Sequence, residues 1–277
     1  MKDYKPSRRP SVSLFGIPVS RVTNAEALER IVEWARAGRA ARRAGQEAGP
    51  PRVVATVNVD FVVNAVPWRP WRGGGELLDC LRKADMVTAD GMPIVVLSRL
   101  LRDPLPERVA GSDLTPALCR ACAREGLRFY VLGGTPEVLS EAFAKLGLSG
   151  SPAIAGTDSS RVDLTADQPE IAQRVNAARP DILFVALGNP KQELWIRRNR
   201  HRLDVPVALG VGGSFNFVSG RVRRAPMWVR RCGLEWVHRI VQEPGRLWRR
   251  YALGLVKFSC LSFLALCGVG RRRGGNE

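Results

Sequence analysis

Histidine is scarce in this chain of 277 residues, which contains only His201 and His238. A histidine-rich metal centre is therefore excluded, and a histidine-based catalytic triad is not expected. Cys119 and Cys122 have CxxC spacing, but they lie in a helical pattern of apolar residues, and no second pair or nearby histidine completes a zinc site. We interpret both as core cysteines, and we expect neither a metal site nor a cofactor.

The common nucleotide-binding motifs are also missing. Gly210-Val211-Gly212-Gly213 lacks the spacing of GxGxxG, and the chain has no Walker lysine motif, which argues against a dinucleotide enzyme and against a P-loop ATPase. The amino end lacks the apolar core of a signal peptide. We therefore expect a cytoplasmic protein whose cysteines are reduced.

Acidic residues are few relative to basic ones: 26 Asp and Glu stand against 43 Lys and Arg, a net charge of +17. Nine arginines lie within Arg221–Arg250, opposed by Glu235 and Glu243 alone. Such a patch attracts polyanions, and charge alone leaves nucleic acid, anionic lipid and a diphosphate group open. The run Tyr251–Gly270 is almost wholly apolar and is interrupted chiefly by Lys257. The combination predicts a segment lying on an anionic membrane surface at its cytoplasmic face in preference to a true span, because both flanks are basic, with a helix packed on the protein's own core as the alternative.

The rest of the chain alternates strand and helix patterns, which predicts an α/β protein with a Rossmann-like, mainly parallel sheet flanked by helices. We predict an α/β core over residues 1–219 and a helical, arginine-rich, membrane-associating appendage over residues 220–277. The predicted strands are Val12–Phe15, Val53–Val57, Met86–Thr88, Arg128–Leu132, Asp181–Leu187 and Val207–Val211. The predicted helices are Asn24–Arg43, Glu76–Lys83, Pro93–Leu101, Asp113–Arg124, Pro136–Leu146, Pro169–Ala178 and Pro190–Arg200.

Polar residues and glycines follow the predicted strand ends, which is where open α/β sheets bind ligands. Asp-Gly and Gly-Gly are ordinary turn sequences when they occur alone. Five such motifs at strand ends favour a shared binding site instead. These motifs are Thr56–Asn58, Asp90–Gly91, Gly133–Pro136, Gly188–Glu193 and Gly210–Asn216.

Taken in order, these motifs resemble those of the WecG/TagA/CpsF glycosyltransferases of bacterial surface-polymer synthesis, and the resemblance runs from about Gly16 to Tyr251. It implies inverting transfer of an N-acetylmannosamine-type sugar from a UDP donor to a polyprenyl-diphosphate-linked N-acetylglucosamine, without a required metal. The chain departs from the family at Asn216, where an aspartate is usual, so the donor sugar stays open. Further matching elements are Arg108-x-x-Gly111-x-Asp113, Arg224-Ala225-Pro226, Gly233-Leu234-Glu235-Trp236 and Glu243-Pro244-x-Arg246.

An inverting transfer needs a base for the acceptor hydroxyl and positive charge or hydrogen-bond donors for the leaving diphosphate. We assign the base to Asp90, with Thr56 and Asn58 orienting the donor or the acceptor. Arg108 is a phosphate candidate that could equally pair with Asp113. The predicted substrate-binding residues are Arg108, Gly133, Gly134, Gly188, Lys191, Gln192, Glu193, Gly212, Gly213, Asn216, Arg221, Arg224 and Arg246.

Two rival hypotheses come from other classes of protein. A nucleic-acid-binding protein would use the basic patch with its interleaved Trp228, Trp236 and Trp248, but the apolar tail and the strand-end motifs are unexplained by it. A non-catalytic membrane scaffold would leave Asp90 and Gln192 without a purpose. We therefore expect no nucleic-acid partner. The sequence leaves open whether the chain forms a homo-oligomer.

Overall fold

The computed structural model describes residues 10–46, 49–69, 74–226, 229, 235–242 and 244–268. The strands are β1 (Ser11–Leu14), β2 (Ile17–Ser20), β3 (Arg52–Val57), β4 (Met86–Ala89), β5 (Phe129–Gly133), β6 (Ile154–Asp158), β7 (Ile182–Ala186) and β8 (Val207–Gly210). The helices are α1 (Asn24–Arg43), α2 (Val59–Ala65), α3 (Glu76–Arg82), α4 (Met92–Leu100), α5 (Gly111–Glu125), α6 (Pro136–Leu146), α7 (Pro169–Ala177), α8 (Lys191–Asn199), α9 (Ser214–Ser219), α10 (Glu235–Gln242) and α11 (Pro244–Leu266).

Six strands form one parallel sheet in the order β4-β3-β8-β7-β5-β6, which confirms the predicted α/β fold. The central strands are continuous apolar runs because helices cover both faces of the sheet. In the register, Val57 lies beside Ala89 and Val185 lies beside Gly210. The carboxyl ends of these strands, and therefore the motifs that follow them, meet at one edge of the sheet.

The two sides of the sheet have separate cores. On one side, four phenylalanine rings from the sheet, α6 and α9 pack with neighbouring centroids 5.7–6.2 Å apart. Tilted and edge-to-face pairs of this kind contribute about 0.5–1.5 kcal/mol each beyond simple burial. On the other side, Trp195 and Ile196 bury the inner face of α8. Helices α6, α8 and α9, which begin near the edge where the strand ends meet, are therefore packed against the sheet. We call this edge the ligand edge.

All the predicted strands and helices are present, with ends displaced by at most two residues. Four elements were not predicted: β2, β6, α2 and α9. β2 contains Pro18, which weakens a strand pattern, and β6 is an edge strand with little burial. α2 has only seven residues and starts directly after Asn58, so its helical period is too short to read from the sequence.

The last helix, α11, is packed against the core along one face. Phe258 and Leu261 are buried in the cluster that includes β1, β2 and α2, and the ring of Phe258 lies 6.0 Å from that of Phe15. Lys257 donates from Nζ to the carbonyl of Val63 at 2.6 Å. The alternative prediction, a helix packed on the protein's own core, is therefore correct for one face of α11.

The opposite face of α11 is apolar and exposed. Leu253 is 73% exposed and Phe263 66% exposed, with Val256 between them. Lys257 is the sole charged residue within 252–268 and it turns inward, so this exposed face carries no charge. Among the helices that the structure describes, none has the length and apolar character needed to cross a bilayer. Residues 269–277, with the terminal arginines, lie outside the described part of the chain.

Candidate active site

Asp90 lies one residue beyond β4, at the edge where the strand ends meet. Its backbone N–H donates to the carbonyl of Val57 at 2.8 Å, which continues the pairing of β3 with β4. Its Oδ2 accepts from the backbone N–H of Gly111 at 3.3 Å, and its Oδ1 lies 3.7 Å from Nη1 of Arg108. The side chain is 22% exposed, so a substrate can reach it.

The surroundings of Asp90 suit a general base. Burial raises the pKa of its carboxyl to about 7, against the opposing effects of the Arg108 guanidinium and the Gly111 N–H, and the carboxylates of Glu235 and Asp113 add to the rise. A base is most effective when its pKa lies near the working pH, because it is then both unprotonated and basic. A free aspartate, with a pKa near 4, is a weaker base.

Arg108 is the centre of an ion-pair network beside Asp90. Its Nη2 lies 2.8 Å from Oδ2 of Asp113, and its Nη1 lies 3.6 Å from Oε2 of Glu235 on α10. Arg224 reaches the same carboxylate of Asp113 at 2.8 Å and donates to Oγ of Ser112 at 2.7 Å. The structure thus brings the predicted residues Asp90, Arg108 and Arg224 together, and the predicted pairing of Arg108 with Asp113 is present.

Thr56 and Asn58 lie at the carboxyl end of β3, the strand that pairs with β4. Thr56 is buried, and its Oγ1 donates to the carbonyl of Gly210 at 3.3 Å. Asn58 caps α2 by accepting from the N–H of Phe61 at 3.3 Å, and its side chain lies against Gly91. Both residues thus have structural contacts, and their roles in orienting substrate stay a prediction.

The start of α8 carries the buried pair Gln192 and Glu193. Oε1 of Gln192 accepts from the backbone N–H of Gly212 at 2.9 Å, and its Nε2 donates to Oε1 of Glu193 at 2.6 Å. Burial raises the pKa of Glu193 to about 8, although the Gln192 hydrogen bond opposes the rise. With 1% and 4% of their surfaces exposed, the two side chains form the floor of the site, whereas Lys191 beside them is exposed.

Four of the five predicted glycines occupy positions that other residues would strain, whereas Gly213 has negative φ and only an ordinary contact at its Cβ position. Gly133 has φ +95°, and a Cβ there would lie 2.8 Å from the carbonyl oxygen of Ala186. Gly134, Gly188 and Gly212 also have positive φ, with nothing near the Cβ position of Gly188. The ends of β5, β7 and β8 are therefore bare backbone at the ligand edge, and α6 and α8 begin directly above them.

For the remaining three predicted residues, the described contacts do not include Asp90 or Arg108. Arg221 makes two hydrogen bonds of 2.9 Å to the carboxylate of Glu141 on α6, in an exposed ion pair. Asn216 lies in α9 next to Gly213, and its carbonyl accepts from the N–H of Val222. Arg246 belongs to α11, but its side chain lies outside the described part of the structure.

Sequence reasoning missed two residues of this site. Glu235 has no predicted site role, although it belongs to the basic patch and to a matching family element, yet it reaches Arg108 across the boundary proposed for the appendage. Asn189 was passed over, although both polar atoms of its side chain are buried without a partner in the structure. In the described part of the chain, no three His, Cys, Asp or Glu side chains are grouped as a metal site would require.

Comparison with known proteins decides the family. The glycosyl transferase family WecG/TagA/CpsF matches residues 12–272 of this chain. The chain belongs to the WecG/TagA/CpsF family. It is 39% identical over 172 residues to an N-acetylglucosaminyldiphosphoundecaprenol N-acetyl-beta-D-mannosaminyltransferase of Bacillus spizizenii, covering 61% of this chain and 65% of that relative. A protein of the same name from Bacillus subtilis is 34% identical over 213 residues, covering 74% of this chain and 79% of the relative.

The resemblance noted in the sequence is thereby confirmed for nearly the whole chain. In this WecG/TagA/CpsF member the strand-end motifs meet at one edge of the sheet, and Arg224, from the segment after the proposed core, pairs with Asp113 of α5.

Proposed function

We propose that the protein is an inverting glycosyltransferase that moves an N-acetylmannosamine-type sugar from a UDP donor to a polyprenyl-diphosphate-linked N-acetylglucosamine. The observation that carries this proposal is the position of the Asp90 carboxyl at the strand edge, with Arg108 3.7 Å away, and the burial that raises its pKa supports the role of base. The names of the two Bacillus relatives supply the sugar and the acceptor class.

In the proposed reaction, the acceptor hydroxyl oxygen attacks the anomeric carbon of the donor sugar. Asp90 takes the proton of that hydroxyl while the bond from the anomeric carbon to the diphosphate oxygen breaks, and UDP leaves with the electron pair. Attack opposite to the leaving group inverts the configuration. The proton on Asp90 then passes to water.

The leaving diphosphate needs positive charge, which Arg108 and Arg224 can supply. Asp113 accepts from both guanidinium groups at 2.8 Å, so the two side chains are already oriented when substrate arrives. Arginine suits this role because its planar donors match phosphate oxygens in pairs. No step of the proposed reaction calls for a bound metal.

Membrane attachment would bring the enzyme to its lipid-linked acceptor. The uncharged exposed face of α11 supplies apolar area, and the arginines of the appendage supply attraction to anionic lipid. We therefore propose that the protein binds the membrane surface peripherally. Helix α11 would lie parallel to that surface and would not span the bilayer.

The direct test is to incubate the purified protein with a panel of UDP-N-acetylhexosamines and a lipid-diphosphate-N-acetylglucosamine analogue, and to measure the release of UDP. We expect release that depends on both substrates and is greatest with the N-acetylmannosamine donor. Anomeric analysis of the product by NMR tests inversion. Release that is independent of the acceptor, or tight binding of oligonucleotide without any transfer, would refute the proposal.

A further inference from the structure

Glu193 is placed unusually for an acidic residue in the first turn of a helix. Such residues commonly face solvent or reach back to the N–H of the capping residue. In α8 the capping residue is Pro190, which has no N–H to offer. The side chain of Glu193 instead points inward against β8, and only 4% of its surface is exposed.

The contacts of Gln192 determine which way its amide points. The backbone N–H of Gly212 is a donor, so the atom of Gln192 that faces it must be Oε1. Nε2 then faces Glu193, which must accept. Without that acceptor the buried Nε2 of Gln192 would lack its only described partner, and a buried donor without a partner is destabilising.

The pair lies directly against the backbone of β8. A Cβ on Gly210 would be 2.6 Å from both Nε2 of Gln192 and Oε1 of Glu193, so no space separates them. The carbonyl of Gly210 in turn accepts from Oγ1 of Thr56. Thr56 packs on Gly111, whose N–H donates to Asp90, so the contacts are continuous from Glu193 to the proposed base.

We propose that Glu193 is a positioning residue, which acts through Gln192 to hold the loop Gly210–Gly213 against the sheet edge and so maintains the geometry around Asp90. The sequence predicted that Glu193 binds substrate. In this proposal it does not contact substrate, and it holds Gln192 and the loop in position instead. This proposal rests on the proposed function only where the test measures turnover and KM.

The charge state of Glu193 fits this role. Burial raises its pKa to about 8, so the side chain is neutral at lower pH and loses its proton above about 8. The titratable group facing it from α3 is Cys80, whose thiol pKa is raised by burial and, to a smaller extent, by the charge of Glu193. Two ion pairs join α3 to α8: Glu76 with Arg198, and Asp79 with Arg197. Nearby β8 contributes apolar residues and glycine.

The test compares Glu193→Gln, Glu193→Met and wild type. Glutamine keeps an acceptor oxygen and carries no charge, whereas methionine has similar volume and offers no comparable acceptor. Glu170→Met, at an exposed first-turn position of α7, is the matched control. Amide hydrogen exchange of residues 207–216 is measured without substrate, and turnover and KM are measured with the UDP-sugar and lipid-linked acceptor.

We expect Glu193→Met to expose residues 210–213 to faster exchange and to lower kcat about tenfold or more, because small displacements of a site are costly in rate. Glu193→Gln should match wild type in both measurements near pH 7. Because burial disfavours the ionised form of Glu193, its deprotonation above about pH 8 should favour opening of the loop to water, so wild type should lose loop protection and turnover relative to Glu193→Gln measured at the same pH.

The proposal is overturned if Glu193→Met keeps normal loop protection, or if Glu193→Gln loses as much turnover as Glu193→Met while its loop stays protected, since Glu193 would then act on substrate directly. Should Glu193→Met fail to fold, the comparison of wild type with Glu193→Gln above pH 8 decides the matter. If wild type shows no transfer at all but the exchange pattern is as expected, the positioning role stands and the proposed function fails.

Discussion

At the scale of single residues, the pKa of Asp90 reflects opposing neighbours. Burial and the carboxylates of Glu235 and Asp113 raise it, whereas Arg108 and the N–H of Gly111 lower it. The rate of any reaction in which Asp90 is the base must therefore depend on pH near neutrality. Each neighbour can be changed separately, which makes the assignment testable.

Replacing Asp90 by asparagine should lower turnover by roughly a hundredfold or more, because an amide cannot accept the proton and general bases contribute at least that much. Steady-state UDP release is the measurement, with Asp167→Asn, an exposed surface change, as the control. Unfolding temperature and UDP binding should match those of wild type. Turnover within a few-fold of wild type would remove Asp90 from the role of base.

The pH dependence should respond in opposite directions to changes of Arg108 and of Glu235, which carry opposite charges beside Asp90. In wild type, kcat/KM should rise with pH through about 7, since Asp90 is protonated and inactive as a base below its pKa. Arg108→Gln removes a charge that favours the carboxylate, so this rise should move to higher pH. Glu235→Gln removes a repelling charge and should move it lower. The pH profiles of the two variants check this, and shifts in the same direction would contradict the network.

At the scale of secondary-structure elements, the ligand edge depends on close approach between strand ends. Gly133 at the end of β5 lies against the carbonyl of Ala186 at the end of β7, and it has positive φ. A side chain there would push the two strands apart.

Gly133→Ala should therefore destabilise the fold by roughly 2–4 kcal/mol, from the left-handed conformation and the overpacking together. Gly188→Ala is the matched control, because Gly188 has φ +78° but open space around its Cβ position. It should cost only about 1–2 kcal/mol. Urea unfolding of both variants measures the difference, and equal losses would show that the contact with β7 is unimportant.

Helix α11 separates apolar residues that pack on the protein from those that face outward. The double change Leu253→Ser and Phe263→Ser alters exposed positions, so it should weaken sedimentation with anionic liposomes while leaving the unfolding temperature unchanged. Leu261→Ser is the control, since Leu261 is buried and its loss should lower stability instead. Unchanged liposome binding in the double variant would refute membrane docking through this face.

At the scale of the whole molecule, positive charge comes to the site from both sides of the proposed boundary. Arg108 belongs to the core, and Arg224 belongs to the appendage. We expect turnover to survive EDTA, because these guanidinium groups can take the diphosphate charge. The assay of UDP release with and without chelator measures this. Complete loss that magnesium or manganese restores would contradict it.

The sequence predicted the fold and much of the candidate site because both follow from local patterns. Apolar runs mark buried parallel strands, and polar residues after them must share an edge, as Asn58 and Asp90 do. What could not be predicted depends on packing between distant segments. Nothing local indicates that Glu235 reaches Arg108, or that Gln192 faces the loop at Gly212 when its neighbour Lys191 faces outward.

The strand order also has a consequence for the synthesis of the chain. β8 is the last strand of the sheet to be made, yet it lies between β3 and β7 and pairs with both. While the ribosome is still translating the segment before Val207, strands β3 and β4 can pair with each other, and β5, β6 and β7 likewise, but the two groups have no strand to join them. The complete sheet edge, with Thr56 bonded to Gly210, can form only after this late strand has emerged.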